Sequence, residues 1–318
     1  MDNKINLVKA SIISSLGIIL SLLVAYVPML SLFNLIIPVP YAILGTVTNK
    51  KYSIISFIAT FLILLILVNP IYSLSVCIMN IFPGLIIGSI AKKQITDENT
   101  NKFGPIYGGI VAVIIATIIL FVISNVFFKI NMLEDFRSMI KETAKIQTSI
   151  LENAGVSIGE ELSPDKIIDY IINMLPTILF LQAMITSFII YYLEIFFVHR
   201  IRIMNIKRPK FTEFYLPGNA VIASLVLYIL VFFMESININ LYTDLIMFNL
   251  QTIFSFMFII QGISVCFYYS RKWIKKGNFK PMLLWCLILS LFGFVAVSFI
   301  GMLDSINDFR KVKTYKSI

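Results

Sequence analysis

The run Pro105 to Phe128, PIYGGIVAVIIATIILFVISNVFF, is 24 residues long and holds no charged side chain. As a helix it spans roughly 36 Å, against a bilayer hydrocarbon core of roughly 30 Å. Its apolar side chains point all round the axis, whereas a surface helix of a soluble domain keeps one face polar. The solvent for this chain is therefore lipid. Composition agrees: 58% of the 318 residues are hydrophobic and 14% charged, where soluble chains average about 45–50% and 25%.

Eight further apolar segments carry the same reading: about Leu7–Val27, Leu32–Val47, Tyr52–Val68, Ile71–Ala91, Ile167–Val198, Ala220–Met234, Leu241–Tyr269 and Met282–Met302. The expected fold is an all-α, polytopic transmembrane helical bundle of about nine helices, with eight as the rival count. Between the fifth and sixth segments lies the one long polar interval, Lys129 to Ser163. There Leu133, Phe136, Ile140, Ile146 and Ile150 recur at helical spacing, and charged residues fill the other face. This predicts an amphipathic helix over 131–153 that lies on the membrane surface or caps the bundle. Gly155 ends it, and Ser163-Pro164-Asp165 starts the next helix, with Ser as N-cap and Pro at N1. Pro176 kinks that sixth segment.

The domain expectation is a six-helix membrane module over 1–204, a linker over 205–219, a three-helix module over 220–303 and a tail over 304–318. Lys and Arg set the orientation. With the amine end inside, 17 of them fall in interior intervals and five in the long outer interval taken through Lys166. That implies a multi-pass plasma-membrane protein with a cytoplasmic N-terminus. Nine spans leave Arg310, Lys311, Lys313 and Lys316 outside, against the rule, which keeps the eight-span layout open. Lys4 and Lys9 ahead of an apolar run resemble a signal peptide, but the run is read as an uncleaved first helix. The net charge of +9 is read as loop charge facing anionic membrane lipid, not as a nucleic-acid surface.

Three breaks cluster in one block: Pro38-Val39-Pro40, Asn69-Pro70 and Pro83-Gly84. Interrupted helices are where transporters offer backbone groups to a substrate, although Pro and Gly are also common in membrane helices generally. Polar side chains inside apolar segments are the other candidates. The substrate-binding candidates are Pro38, Pro40, Asn80, Gln182, Glu194, Gln251 and Gln261. Glu194 has two readings: an interfacial acid reaching His199 and Arg200, or a cation or proton site. Gln251 and Gln261 read first as polar glue between helices. Ala10 and Ser14, small residues at i, i+4, form a face for close helix approach, either within the chain or toward a partner protein.

Catalytic signals are absent from the motif inventory: no Walker A, no HExxH, no nucleophile elbow. His199 is the single histidine, and Cys77, Cys266 and Cys286 lie in apolar segments without a metal-ligand spacing. The chain is expected to be no enzyme and to need no cofactor.

Four stretches together resemble the YybS-like family of bacterial membrane proteins. They are Ile37-Pro38-Val39-Pro40, Phe211-x-x-Phe214-x-Leu216-Pro217, the helix from Asn249 to Gln261-Gly262, and Asp304-x-x-x-Asp308-Phe309-Arg310-Lys311. The first six segments also resemble the S-components of energy-coupling factor transporters. These have six helices, bind vitamins or metal ions, and dock a transmembrane coupling subunit through small residues on the first helix. The resemblance implies Ala10 and Ser14 as the docking positions and a coupling subunit as candidate partner. Segments seven to nine go beyond that pattern. The leading expectation is small-molecule binding and uptake without an ATPase of its own. The alternative is an envelope scaffold or assembly protein with no transported substrate, and a lipid-modifying enzyme ranks third.

Overall fold

The structure, a computed structural model, describes residues 2–96, 101–153, 164–201, 208–217, 220–237, 242–275 and 279–312. Among them no strand occurs. The Gly155 stop, the Ser163 start and linker positions 205–207 and 218–219 lie outside the described residues. Contacts group the chain into two units: Met1–Thr96 with Pro105–Ile206, and Asp97–Gly104 with Lys207–Ile318. The short segment 97–104 thus sides with the second unit, where the sequence reading had placed it in the first.

Unit 1 starts with α1 (Asp2–Tyr26) and a 3-10 run, Pro28–Leu35. There follow α2 (Pro38–Val47), α3 (Lys50–Leu67) and α4 (Pro70–Val76). A π turn, Cys77–Ile81, leads into α5 (Phe82–Thr96). Each proline break sits where it removes least. Pro38 and Pro40 lie in the first turn of α2, where N–H groups have no intrahelical acceptor. They therefore start a helix instead of kinking one, as the sequence had suggested. Pro70 opens α4 behind Asn69, whose side chain accepts from the Tyr72 N–H at 2.7 Å. Ahead of Pro83 the chain widens by one residue, and the Phe82 N–H bonds the Cys77 carbonyl, the i→i+5 pattern of a π turn.

The centre of unit 1 is α2, all ten of whose residues are buried. Its partner is α5, and the two meet backbone to backbone. A Cβ on Gly84 would lie 2.5 Å from the Pro38 carbonyl oxygen, and one on Gly45 2.8 Å from that of Leu85. A Cβ on Gly88 would land on the Ala42 carbonyl. Gly84 and Gly88 thus form the small-xxx-small face that membrane helices use for close approach. Around this seam, Tyr41 of α2 shares a hydrogen bond with Thr60 of α3 at 3.1 Å. Tyr72 of α4 donates to the Ser21 carbonyl of α1 at 2.6 Å. Gly17 of α1 gives the Tyr41 ring its room.

The remainder of unit 1 is α6 (Gly104–Phe128, from Pro105), α7 (Met132–Asn153), α8 (Pro164–Asn173) and α9 (Leu175–Arg200). A small-residue stripe of α6, Gly109, Ala112 and Ala116, is buried, while Val111, Ile118 and Val126 stay exposed as a lipid-facing side. The amphipathic α7 packs on α8. Their Arg137–Asp169 ion pair, 2.9 Å long and more than half exposed on both sides, contributes little. The expected kink at Pro176 is a break at Met174, with Pro176 in the first turn of α9.

Unit 2 holds α10 (Ala220–Ser236), α11 (Thr243–Lys275) and α12 (Phe279–Asn307). α11 and α12 pack as closely as α2 and α5: Gly262 faces the Val297 carbonyl and Gly301 that of Phe258. Gly293, at φ +55°, interrupts α12. Phe103 from segment 97–104 is buried edge-on against Phe214 at 5.3 Å, and Lys102 pairs with Glu213 at 2.8 Å. Among the described residues seven helices are long and apolar enough to span a membrane. Of the other two expected segments, α10 is an apolar helix of 17 residues, and α12 covers Met282–Met302 with the interruption at Gly293. The chain is an all-α, polytopic helical membrane protein.

Replacing Gly88 with Val puts a side chain where the Ala42 carbonyl lies. Loss of stability of about 3 kcal/mol, the upper end for overpacking, is the expected outcome in chemical unfolding of the detergent-purified protein.

Candidate functional site

An open groove of about 650 Å³ runs between α2, α3 and α5. That volume falls within the range of about 300–1,000 Å³ typical of small-molecule sites. Gly45 lies on its α2 wall. Ile54, Phe57, Phe82, Leu85 and Ile86 line it with apolar surface. At one end stand Thr48, Asn49, Lys50, Ser53, Ser89, Lys92 and Lys93. The local sequence explains why they meet. α2 ends at Val47, α3 begins at Lys50 after a two-residue turn, and α5 runs alongside α2 to its own basic last turn. Lys92 is held in place: its ammonium donates to the Thr48 carbonyl at 2.6 Å and to Asn49 Oδ1 at 3.3 Å. It thereby satisfies the last turn of α2, a usual role for lysine at a helix C-terminus.

Behind this groove, on the other side of the α2–α5 seam, sits Glu194 of α9, with no solvent exposure. The Thr46 hydroxyl lies against its Oε1, and also 3.1 Å from the Ala42 carbonyl and 3.0 Å from that of Gly88. One hydroxyl proton faces three acceptors, so the cluster is short of donors. Glu194 Oε2 has no hydrogen-bond partner among the described residues. Neighbouring Tyr191 donates to Gln94 Oε1 at 2.9 Å. Glu194 therefore does not reach out to His199 and Arg200; His199 Nδ1 instead pairs with the Ile195 carbonyl at 2.9 Å.

The expected pocket does not assemble from the other candidates. Pro38 and Pro40 are buried in the α2–α5 packing. Asn80, buried in the π turn, donates to Asn34 Oδ1 at 3.0 Å. Gln182 and Gln251 are exposed on the outer faces of α9 and α11. Gln261 is fully buried and fully engaged: its oxygen accepts from the Leu216 N–H at 3.0 Å and its nitrogen donates to Asp304 at 2.9 Å. Ala10 and Ser14 are buried too. Ala10 packs with Leu44 and Tyr52, so this small-residue face is used within unit 1. The sequence reading missed Thr46, Ser53, Ser89 and the site role of Lys50, Lys92 and Lys93. In the sequence the lysines register only as topology marks. Their pairing at the two ends of α3 to α5 was the available signal.

In unit 2, Arg310 is the hub of a buried network. Its guanidinium donates to Asp304 Oδ2 at 2.8 and 3.2 Å, to Ser264 Oγ at 2.6 Å, and to the Thr212 and Phe214 carbonyls at 2.9 and 2.6 Å. With Gln261 this draws together three stretches far apart in sequence: Phe211–Leu216, Gln261–Ser264 and Asp304–Arg310. Residues 15–305 match the family described as "Predicted membrane protein (DUF2232)". The chain belongs to this family. It is 26% identical over 273 residues, 84% of each chain, to the uncharacterized protein YybS of Bacillus subtilis (strain 168). No solved structure matches it. The chain is accordingly a multi-pass integral membrane protein. Three of the four motifs that carry its YybS-like character turn out to be parts of the Arg310 network, and hold unit 2 together.

Thr46→Val removes the hydroxyl that Glu194 faces, and is expected to cost about 1–3 kcal/mol in chemical unfolding. Adding Glu194→Leu should recover part of that loss, because both polar partners are then gone. Arg310→Met leaves the buried Asp304 carboxylate without its countercharge, and a loss of about 3–5 kcal/mol is the expected result of the same measurement.

Proposed function

We propose that the protein is a small-molecule binding module for uptake, embedded in the plasma membrane with its N-terminus cytoplasmic and doing no catalysis of its own. The observation that carries this reading is the groove between α2, α3 and α5: large enough for a ligand, apolar along its length and polar at one end. It is bounded by the helices that the three proline breaks create. The breaks thus serve to place a short helix, α2, between two longer ones, instead of exposing midplane backbone. No ATP-binding motif is present in the sequence, so transport against a gradient draws on an ion gradient or a separate coupling subunit. Ala10 and Ser14 are buried within unit 1, so such a subunit docks on another face.

The rival reading is an envelope scaffold with no transported substrate. It draws support from the close packing of Pro38, Gly84 and Gly88, which leaves that seam filled. One experiment separates the two. The purified full-length protein is screened by thermal shift against vitamins, nucleosides and membrane lipids, beside a Ser53→Trp variant that fills the groove. A binding reading expects at least one compound class to raise the unfolding temperature of the parent and not of the variant. No shift with any compound, or equal shifts in both proteins, sinks it.

A further inference from the structure

We infer that the α2–α3–α5 groove takes a phosphate-bearing membrane amphiphile, its head among Lys50, Lys92 and Lys93 and its chain along Ile54, Phe57, Phe82 and Ile86. This rests on the groove being a ligand site and names the class of ligand.

The charge is one-sided. The groove is lined by three lysines and by no acid. All three stand where α2 and α5 end and α3 begins. In a membrane helix such positions lie at the water interface, where lysine ammoniums meet lipid phosphates. The remaining length of the groove is apolar. A water-soluble anion would satisfy the lysines and leave that wall bare, and a plain hydrocarbon would do the reverse. A molecule with an anionic head and an apolar chain matches both.

The local geometry favours a phosphate at the head. Two of the three ammonium hydrogens of Lys92 are committed to Thr48 and Asn49, and the third is left for a ligand. Asn49 precedes α3 but makes no side-chain cap to it, and its oxygen accepts from Lys92 instead. The Tyr52 N–H bonds the Asn49 carbonyl at 2.9 Å, and the N–H groups of Lys50 and Lys51 precede it at the start of a helix 18 residues long, whose dipole favours negative charge there. Ser53 adds a hydroxyl in the same lining, while that of Ser89 donates to the Ile86 carbonyl at 2.8 Å. Entry from the bilayer is open, since Ile54 on the groove edge is 60% exposed.

The test uses the full-length protein in a neutral detergent, titrated with phosphatidate and with phosphatidylcholine, and read by native mass spectrometry. Glycerol phosphate and inorganic phosphate form the soluble arms. The variants are Lys50→Gln with Lys93→Gln, both at exposed positions, and Ser53→Trp. Phosphatidate is expected to bind at least about tenfold more tightly than phosphatidylcholine, given roughly fivefold per lysine near an anionic lipid. The lysine pair variant should erase most of that preference while unfolding at the parent's temperature. Equal binding of the two lipids, or a preference that survives the lysine changes, overturns the proposal. Glycerol phosphate or phosphate binding as tightly as phosphatidate reassigns the site to a soluble anion and overturns it as well. If another compound class is lost in Ser53→Trp while phosphatidate is indifferent, the lipid class fails and the groove stands as a site. If nothing depends on the groove, both readings fall.

Discussion

Unit 1 depends on one contact: the backbone of α5 against the backbone of α2 at Gly84 and Gly88. In hydrocarbon there is no gain from burying apolar side chains between helices, so association rests on close packing and on polar bonds. Two glycines let the helices approach until carbonyl oxygens meet Cα hydrogens. Only at that distance does a helix of ten residues become buried on every side. The other elements of unit 1 are arranged on this pair. α1 supplies Gly17 to make room for Tyr41, α3 offers Thr60 to its hydroxyl, and α9 brings Glu194 to Thr46. Unit 2 repeats the device with Gly262 and Gly301.

The class of the molecule was legible because lipid imposes a length and a hydropathy that few other solvents impose. Pro105 to Phe128 shows this alone. Helix breaks were legible too, since proline removes a donor wherever it stands. Their consequence was not. Whether Pro38 exposes carbonyls or opens a helix depends on which residue precedes the first hydrogen-bonded turn, and this is decided by packing against Gly84 and Gly88, far along the chain. The same holds for the candidate site. Asn80, Gln182 and Glu194 stood out as polar residues in apolar runs, but periodicity does not say which face of a helix meets which neighbour. Gln182 faces outward and Glu194 inward, though they lie on one helix only about three turns apart. The lysines that do line the groove are unremarkable as residues. They matter because a two-residue turn puts Lys50 beside the last turn of α5.

The groove and the buried acid are two sides of one seam. Gly45 and Ser89 line the first, and at the second Thr46 meets Glu194 while its hydroxyl also lies 3.0 Å from the Gly88 carbonyl. Any sliding of α2 on α5 therefore changes both at once: the width available to a ligand, and the number of donors within reach of a carboxyl that already has too few. A charged or polar group in this position is costly to keep in a membrane, and the structure spends its one available hydroxyl on it.

The placement of segment 97–104 bears on how the protein is made. Lys102 and Phe103 find their partners, Glu213 and Phe214, only after 111 further residues have left the ribosome. Until then the nascent chain carries α5 and α6 into the bilayer with an aromatic ring between them that has nothing to pack on. Unit 1 can assemble during synthesis, but this connection waits for the start of the second unit, and the Arg310 network closes later still. A gene cut after residue 206 would yield a fragment with that ring still bare, which makes the two halves poor candidates for separate expression.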